Sequence, residues 1–399
     1  MKITIFPQKL NGSLRAIPSK SQAHRLLICA AFADKPMQLN CPQTNEDIEA
    51  TAACLRSLGA EIIRNKDGYS ITPIQTVPES ATLPCGESGS TLRFLLPVVG
   101  ALGVDATFIT KGRLAQRPLC PLWEEMERMG CNLSRPESTT IRCTGRLRTG
   151  TYEIAGDVSS QFISGLLFAA ALLPGSSKIC ITGTVESQPY IQMTKDALSI
   201  FGVNISGNTV QGDRQFRTPK ESLDVEGDWS NAAFFLAANA MGSNISIENI
   251  NRNSAQGDRA VEHQISRLHS FCTIDAANIP DLVPILAVFS ATRQGALFTN
   301  IHRLRLKETD RVATICGMLN SLGIQTSTDE NSLLVKPGLF TGGIVDATGD
   351  HRIAMAAAIA ATCATAQVTI LGAESVNKSY PSFWTEYRRL GGSYELDLW

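Results

Sequence analysis

One kind of segment recurs along the chain and limits the folds open to it. Each copy begins with polar residues and continues as a long apolar run rich in Ala and Leu, and the copies start at Lys20, Ser90, Ser159, Trp229, Asp281 and Asp350. A helix that is apolar nearly all round must be buried, so we expect six buried helices. Their starts lie 70, 69, 70, 52 and 69 residues apart, which indicates six repeats with the fourth shortened.

A second kind of segment alternates with the first. It reads as an amphipathic helix that ends near a glycine and is followed by a short β-like run, at 54–63, 125–134, 197–206, 318–327 and 386–396, and without the glycine at 265–274. Glycine suits the left-handed residue that ends many helices. The sequence therefore predicts an α/β protein. Six such units exceed one core, so we expect two domains of three repeats each, 13–224 and 1–12 plus 225–399. The strand-like KITIF near the N-terminus would find its sheet partners in the second domain.

Composition excludes several classes of function. The formal net charge is −1, so no nucleic-acid or membrane surface is expected. The eleven cysteines are scattered singly without a CxxC, which is typical of reduced thiols in a cytoplasmic protein rather than a disulfide framework or zinc site. The N-terminus lacks the apolar core of a signal peptide, and the longest apolar run, at 166–174, is too short to span a bilayer.

Unusual polar residues gather at the predicted starts of the buried helices. They are Lys20, Ser21 and Arg25; Ser88, Gly89, Ser90 and Arg93; Ser159, Ser160 and Gln161; Asp281; and Asp350, His351 and Arg352. Cations are unfavourable at the positive end of a helix until an anion binds there, whereas backbone N–H groups at such ends attract anions. Taken singly, each cation could be solvated, each serine or aspartate could be a cap, and each histidine a core residue. Taken together, the three helix starts with cations predict a site for an anionic ligand.

Two further stretches carry cations. RLKETDRVATICGML at 303–317 places Lys307 and Arg311 one helical turn apart, with Glu308 and Asp310 between them. GRLAQRPL at 112–119 is a loop with two arginines. The first stretch could be an ordinary helical charge pattern and the second a solvated loop, unless they contact a ligand.

Ten of these motifs occur in one order, namely PSKSQAHR, GESGSTLRF, QRPL, VSSQF, SQPYI, EGDWS, IPD, LKETDR, DHR and NKSYPSFW. Together they resemble the 5-enolpyruvylshikimate-3-phosphate (EPSP) synthase family of enolpyruvyl transferases. The resemblance implies a two-domain inside-out α/β barrel, each domain three βαβαββ-type repeats with buried helices, and an active site in the interdomain cleft. It also implies transfer of the enolpyruvyl group of phosphoenolpyruvate (PEP) to the 5-hydroxyl of shikimate 3-phosphate, without metal or other cofactor. We expect a monomer.

The resemblance also implies roles for single residues. Catalysis would involve Asp281 as proton acceptor, Glu308 as a candidate proton donor to the methylene carbon of PEP, Lys20 and Lys307. Shikimate 3-phosphate would contact Lys20, Ser21, Arg25, Ser159, Ser160, Gln161, Ser187, Tyr190, Asp281 and Lys307. PEP would contact Lys20, Gly89, Arg93, Arg117, Gln161, Arg311, Arg352 and Lys378.

The chain departs from the family pattern at three places. PSKS replaces PGSKS, GESGS replaces GNAGT and so puts Glu87 beside the PEP site, and Arg303 stands where many members have Asn. A sister enolpyruvyl transferase acts on UDP-N-acetylglucosamine and commonly has a catalytic Cys at the position of Gly112, so that reading is the weaker one. A non-catalytic binder of phosphorylated metabolites is the other alternative, but carboxylates such as Glu308 would bring such a binder no advantage.

Overall fold

The computed structural model describes residues 1–213 and 216–397. It forms two compact units: unit 1 contains residues up to Ile17 and from Gly227 onward, and unit 2 contains Pro18–Glu226. Residues 13–17, which the sequence placed at the start of the N-terminal domain, belong to unit 1 in the structure. The reason is strand pairing, because Asn11–Arg15 pairs in parallel with Asn244–Glu248.

The described residues contain twelve α-helices and 22 strands. The helices are α1 (Lys20–Ala31), α2 (Glu46–Ser57), α3 (Gly89–Leu102), α4 (Leu122–Arg128), α5 (Ser160–Leu172), α6 (Gln188–Ile200), α7 (Trp229–Ala240), α8 (Val261–Arg267), α9 (Val283–Ala291), α10 (Arg311–Ser321), α11 (His351–Ala361) and α12 (Phe383–Arg389). The strands are β1 (Lys2–Phe6), β2 (Asn11–Arg15), β3 (Met37–Asn40), β4 (Glu61–Arg64), β5 (Gly68–Thr72), β6 (Ser80–Gly86), β7 (Asp105–Thr110), β8 (Cys131–Ser134), β9 (Thr140–Gly145), β10 (Thr151–Ala155), β11 (Ser176–Thr182), β12 (Ile205–Ser206), β13 (Thr209–Gln211), β14 (Ser222–Asp224), β15 (Asn244–Glu248), β16 (Cys272–Asp275), β17 (Ala296–Thr299), β18 (Thr326–Thr328), β19 (Ser332–Val335), β20 (Gly343–Asp346), β21 (Val368–Leu371) and β22 (Ser393–Asp397). Short 3-10 helices cover Leu114–Gln116, Gly257–Ala260, His302–Leu306 and Ala373–Lys378.

Five sheets share one pattern, which is the structural form of the repeat. Their strand orders are β14-β3-β5-β4, β6-β7-β9-β8, β10-β11-β13-β12, β16-β17-β19-β18 and β20-β21-β1-β22. In each of them the first pair of neighbours is parallel and the other two pairs are antiparallel. The prediction of repeated α/β units is confirmed.

The fourth repeat is the short one. Its sheet consists of β15 paired with β2 alone, so it lacks the antiparallel hairpin of the others. This accounts for the interval of 52 residues in the sequence. The predicted strand KITIF is β1, which lies between β21 and β22 and completes the last sheet.

The recurrent apolar segments form α1, α3, α5, α7, α9 and α11, and their interior residues are buried. One apolar cluster fills each unit. None of the sheets in the described residues closes into a barrel of strands, and both helices and strands contribute residues to the core of each unit. Gly165 on α5 permits close packing on α3, because a Cβ there would overlap the carbonyl of Arg93. No helix in the described part is both long and apolar enough to cross a membrane.

Candidate active site

The first turn of α1 carries Lys20, whose charge is unfavourable at that end of a helix. Ser19 caps the helix by accepting a hydrogen bond from the Gln22 backbone N–H at 3.4 Å. The Lys20 ammonium pairs with the Asp47 carboxylate at 2.8 Å, and both side chains are largely buried. Asp47 lies in the first turn of α2, where a carboxylate is favourable. The expectation that Lys20 stays uncompensated until a ligand arrives is therefore wrong, because α2 supplies the counter-charge.

Arg25, one turn further along α1, is held by protein acceptors. Its Nε donates to Thr194 Oγ1 and its Nη2 to the Tyr190 carbonyl, both on α6 and both at 2.8 Å. Its Nη1 donates to the Ser21 carbonyl at 2.5 Å. Burial lowers the pKa of Arg25 to about 10, so the guanidinium stays charged at neutral pH. Since a guanidinium has five N–H donors, Arg25 can still bind an anion after these three bonds are made.

The start of α3 brings two further cations together. A Cβ added at Gly89 would lie 2.7 Å from Arg93 Nη1 and 3.0 Å from Arg117 Nη1, so both guanidinium groups face this α-carbon. Gln161, in the first turn of α5, accepts from Arg93 Nη1 at 2.9 Å and donates to Ser90 Oγ at 2.9 Å. Two arginines beside the N-terminus of a long helix form a group suited to a small dianion.

The remaining predicted residues of unit 2 lie at the starts of α5 and α6. Ser159 caps α5 by accepting from the Gln161 backbone N–H at 3.3 Å, and Ser160 is the first helical residue. Ser187 precedes α6 in a left-handed conformation with φ of 54°. Tyr190 is partly exposed, and the stacking role predicted for its ring stays a prediction.

In unit 1, Arg311 at the start of α10 is surrounded by three carboxylates. Its Nη1 lies 2.9 Å from Asp281, its Nη2 2.6 Å from Glu308, and its Nε 2.9 Å from Asp350. The Arg311 side chain is 1% exposed and that of Asp350 is fully buried. Burial alone would lower the pKa of Arg311, but Asp350, Glu308 and Asp281 raise it above its ordinary value. Arg311 is therefore a permanently charged centre around which the carboxylates are arranged.

Asp281, two residues before α9, lies among three cations. Its carboxylate is 2.9 Å from Arg311 Nη1, 3.0 Å from Arg352 Nη2 and 3.6 Å from Lys307 Nζ. Burial acts to raise the pKa of Asp281, but Arg352, Lys307 and Arg311 outweigh it and hold the pKa well below its usual range. The side chain is 24% exposed, so Asp281 is an ionised carboxylate that a ligand can reach.

Lys307 and Glu308 lie in the loop before α10. Burial lowers the pKa of Lys307 to about 8, against the opposing effect of Asp281. The charge of Arg303 also lowers it, which gives this departure from the family pattern a physical effect. Lys378 Nζ lies 4.0 Å from the other oxygen of Glu308. No set of three or more His, Cys, Asp and Glu side chains within residues 1–213 and 216–397 is placed to hold a metal ion.

Comparisons with known proteins identify the family of this chain. The family described as EPSP synthase (3-phosphoshikimate 1-carboxyvinyltransferase) matches residues 6–278 and 265–387. A 3-phosphoshikimate 1-carboxyvinyltransferase of Clostridium kluyveri is 37% identical over 425 residues, covering 100% of this chain and 98% of that protein. One from Clostridium perfringens is 38% identical over 420 residues and covers 98% of each. The chain belongs to the EPSP synthase family.

Solved structures agree on the fold. EPSP synthase from Acinetobacter baumannii superimposes with a TM-score of 0.81 at 22% identity, covering 100% of both chains. The enolpyruvyl transferase NikO from Streptomyces tendae gives a TM-score of 0.78 at 16% identity, covering 99% of this chain and 98% of that one. The predicted two-domain fold of the family is confirmed.

The structure brings the residues implied by the EPSP synthase resemblance into groups within each unit. Unit 2 holds Lys20, Ser21, Arg25, Gly89, Arg93, Arg117, Ser159, Ser160, Gln161, Ser187 and Tyr190. Unit 1 holds Asp281, Lys307, Glu308, Arg311, Arg352 and Lys378. Many of these residues cap a helix or lie in its first turns, whereas Arg117 lies in a loop, Lys307 and Glu308 precede α10, and Lys378 ends a 3-10 helix.

One departure from the family pattern has a visible consequence. The Glu87 carboxylate packs against the α-carbon of Gly112, where any Cβ would overlap it. Gly112 has φ of +54°, which also favours glycine. A larger residue at position 112 would therefore be strained by this φ and would also require the Glu87 side chain to move.

Sequence reasoning missed the partners that hold the cations. Asp47 pairs with Lys20, Thr194 accepts from Arg25, and Asp350, noted only as a helix start, pairs with Arg311. It also missed Asp258, which accepts a hydrogen bond from the Ser230 hydroxyl and whose pKa is raised to about 6 by burial and by the charge of Asp281. The acidic first turn of α2 was a visible signal, but no local pattern names a partner 27 residues away.

Proposed function

We propose that this chain transfers the enolpyruvyl group of PEP to the 5-hydroxyl of shikimate 3-phosphate and releases phosphate. Membership of the EPSP synthase family supports this proposal, and one structural observation supports it most strongly. An accessible carboxylate, Asp281, is fixed among Arg311, Arg352 and Lys307, with a second carboxylate, Glu308, on the same arginine. A protein that only bound anions would be weakened by carboxylates in that position.

The anion-binding parts follow from charge and helix geometry. The cations and hydroxyls at the starts of α1, α5 and α6 would bind shikimate 3-phosphate, with Lys20 shared between the two substrates. For PEP, the EPSP synthase resemblance implies Arg93, Arg117, the Gly89 backbone and Gln161 in unit 2, and it implies Arg311, Arg352 and Lys378 in unit 1. Helix N-termini and guanidinium groups are the donors that phosphates and carboxylates prefer.

The chemistry is an addition followed by an elimination. In the addition, the methylene carbon of PEP gains a proton, the 5-oxygen bonds to C2, and the hydroxyl proton passes to a base. In the elimination, phosphate leaves from C2 and the methyl group loses a proton, which restores the double bond. Arginines beside the tetrahedral intermediate would stabilise its phosphate and carboxylate.

Two carboxylates and one lysine would accept and donate the protons of the reaction. Asp281 is ionised and could accept a hydrogen bond from the 5-hydroxyl, but its low pKa makes it a weak base. Lys307, with its pKa lowered to about 8, can give and take a proton near neutral pH. Glu308 is our proposed proton donor to the methylene carbon.

The test is phosphate release. The protein is mixed with PEP and shikimate 3-phosphate, and the assay is repeated with UDP-N-acetylglucosamine as acceptor. Release with shikimate 3-phosphate supports the proposal; release only with the sugar nucleotide, or binding of both ligands without turnover, contradicts it. Lys20→Ala should lose activity while remaining folded, whereas Lys195→Ala, which removes a partly buried lysine bonded to Asn208 at 2.7 Å, should retain it.

We further propose that the chain acts as a cytoplasmic monomer. All eleven cysteines are free thiols, six of them buried, which suits a reducing compartment. Light scattering of the purified protein across a range of concentrations would reveal any larger assembly.

A further inference from the structure

Four buried side chains from three helices of unit 2 form a continuous hydrogen-bonded chain. His24 Nδ1 on α1 lies 2.7 Å from Thr51 Oγ1 on α2, and Thr51 Oγ1 lies 2.6 Å from Thr91 Oγ1 on α3. Thr91 Oγ1 in turn donates to Ser88 Oγ, the cap of α3, at 2.7 Å. None of the four residues is more than 1% exposed. The substrate contacts proposed above include none of them.

The hydrogen bonds among these four side chains are all donated in the same direction, from His24 toward Ser88. Thr91 has a single hydroxyl proton and donates it to Ser88, so Thr51 must donate to Thr91. Thr51 can then only accept from His24, which places the His24 proton on Nδ1. His24 Nε2 is buried and has no hydrogen-bond partner among the described residues, which a lone pair tolerates better than an N–H group. Burial also lowers the pKa of His24 to about 3, so the ring is neutral.

The two ends of the chain lie at the two anion-binding helix starts. His24 stands one turn after Lys20 and next to Arg25, and Ser88 directly precedes Gly89. Helix α2 also supports the start of α1 directly, since the Asp47 carboxylate in its first turn holds Lys20 at 2.8 Å. Helix α2 thus connects α1 to the start of α3 through directed bonds.

We propose that Thr51 is a positioning residue: through Thr91 and Ser88 it fixes the start of α3, and so the placement of Gly89 and Arg93 for PEP. This inference rests on the proposed function. Apolar contacts alone would let α3 slide against α2, whereas a hydrogen bond prefers a narrow range of distance and angle. Displacements of about 1 Å in a binding group are enough to change substrate binding measurably. The start of α1 depends less on Thr51, because Arg25 is anchored separately to α6.

The test compares Thr51→Val with Thr51→Ser. Valine keeps the shape and removes the hydroxyl; serine keeps the hydroxyl. We expect Thr51→Val to raise KM for PEP by about tenfold, while KM for shikimate 3-phosphate stays within about twofold and Thr51→Ser restores PEP binding. The matched control is Thr362→Val, which removes another buried hydroxyl, bonded at 2.8 Å to the Ile359 carbonyl one turn earlier at the end of α11, and should leave both KM values unchanged. A merely stabilising role for Thr51 would lower the melting temperature and the active fraction without this split.

A second readout does not depend on turnover. Ring-15N-labelled histidine spectra should show His24 neutral with its proton on Nδ1 at pH 7, and Thr51→Val should shift that signal and leave those of the other four histidines in place. A proton on Nε2 would overturn the directed chain. An active wild type with unchanged KM values in folded Thr51→Val would overturn the positioning role. A wild type that releases no phosphate would instead overturn the proposed function.

Discussion

Replacing Asp350 by Ala tests whether the charged centre of unit 1 is also a structural anchor. Asp350 is fully buried and accepts from Arg311 Nε at 2.9 Å and from the Thr309 hydroxyl at 3.0 Å. It also caps α11 by accepting from the Arg352 backbone N–H at 3.0 Å. Alanine removes all three bonds and leaves Arg311 buried with two carboxylates instead of three.

The expected cost follows from these contacts. Removing one partner of a buried ion pair costs about 3–5 kcal/mol, and the two remaining carboxylates place Arg311 near the lower end. Loss of the helix cap adds about 1 kcal/mol. The sum is about 4 kcal/mol. Unit 1 has about 190 residues, and for domains of that size each kcal/mol lowers the melting temperature by about 2–4 °C, so we expect a drop of about 8–16 °C.

Differential scanning calorimetry measures this directly, because it can separate the transitions of two units. Asp346→Ala is the matched control: it removes an exposed aspartate of unit 1 that accepts from the Thr348 backbone N–H at 2.9 Å. Its melting temperature should fall by less than about 2 °C, since substitutions of exposed residues change the free energy of unfolding by about 0.5 kcal/mol or less. A fall of less than about 3 °C for Asp350→Ala would refute the view that the Arg311–Asp350 pair anchors unit 1.

Three further predictions concern activity. Asp281→Asn should lower kcat about 10²–10³-fold, and near-normal kcat in the folded variant would remove Asp281 from the reaction. Gly89→Ala should raise KM for PEP more than KM for shikimate 3-phosphate, because the new Cβ would lie 2.7 Å from Arg93 Nη1; equal changes in both constants would contradict this. The pKa of Lys307 is lowered to about 8, so its charge is lost as the pH rises through 8 and kcat/KM should fall there. Lys307→Arg should move that fall to higher pH, and an unmoved profile would exclude Lys307 as its origin.

The sequence predicted the repeat well because each buried helix requires an apolar segment, and these segments recur at nearly regular intervals. A helix that is apolar on every side must be buried, so the six apolar segments indicated the cores of both units. The short fourth interval indicated that the sheet of β15 and β2 lacks the hairpin found in the other sheets. Helix starts were less certain: α9 begins at Val283, two residues after the predicted start at Asp281. The boundary between the units was placed a few residues early because β2 pairs with β15, more than 200 residues away.

The sequence named candidate residues for the site but not the ion pairs and hydrogen bonds that hold them. The helix starts and the family resemblance named the cations, but their partners depend on contacts that no local pattern contains. Arg25 and Thr194 are 169 residues apart, and Arg311 and Asp350 are 39 apart. Such contacts follow from the order of helices in the core, so only the folded chain reveals which carboxylate neutralises which cation.

These ion pairs and hydrogen bonds change how the cations at helix starts are interpreted. An anion site whose positive charges were uncompensated would destabilise the empty protein, whereas one whose charges were fully paired would bind its ligand weakly. In unit 1, stability without a ligand and binding of a ligand depend on different cations. Arg311 is 1% exposed and its nitrogens contact three carboxylates, so it holds the group together before any ligand binds. Lys307 is 22% exposed and lies 3.6 Å from Asp281, beyond ordinary hydrogen-bond length, so it can turn toward a substrate at little cost. We therefore expect the lysine to be the cation that exchanges partners when a substrate binds, and the arginine to be the support that keeps Asp281 in place.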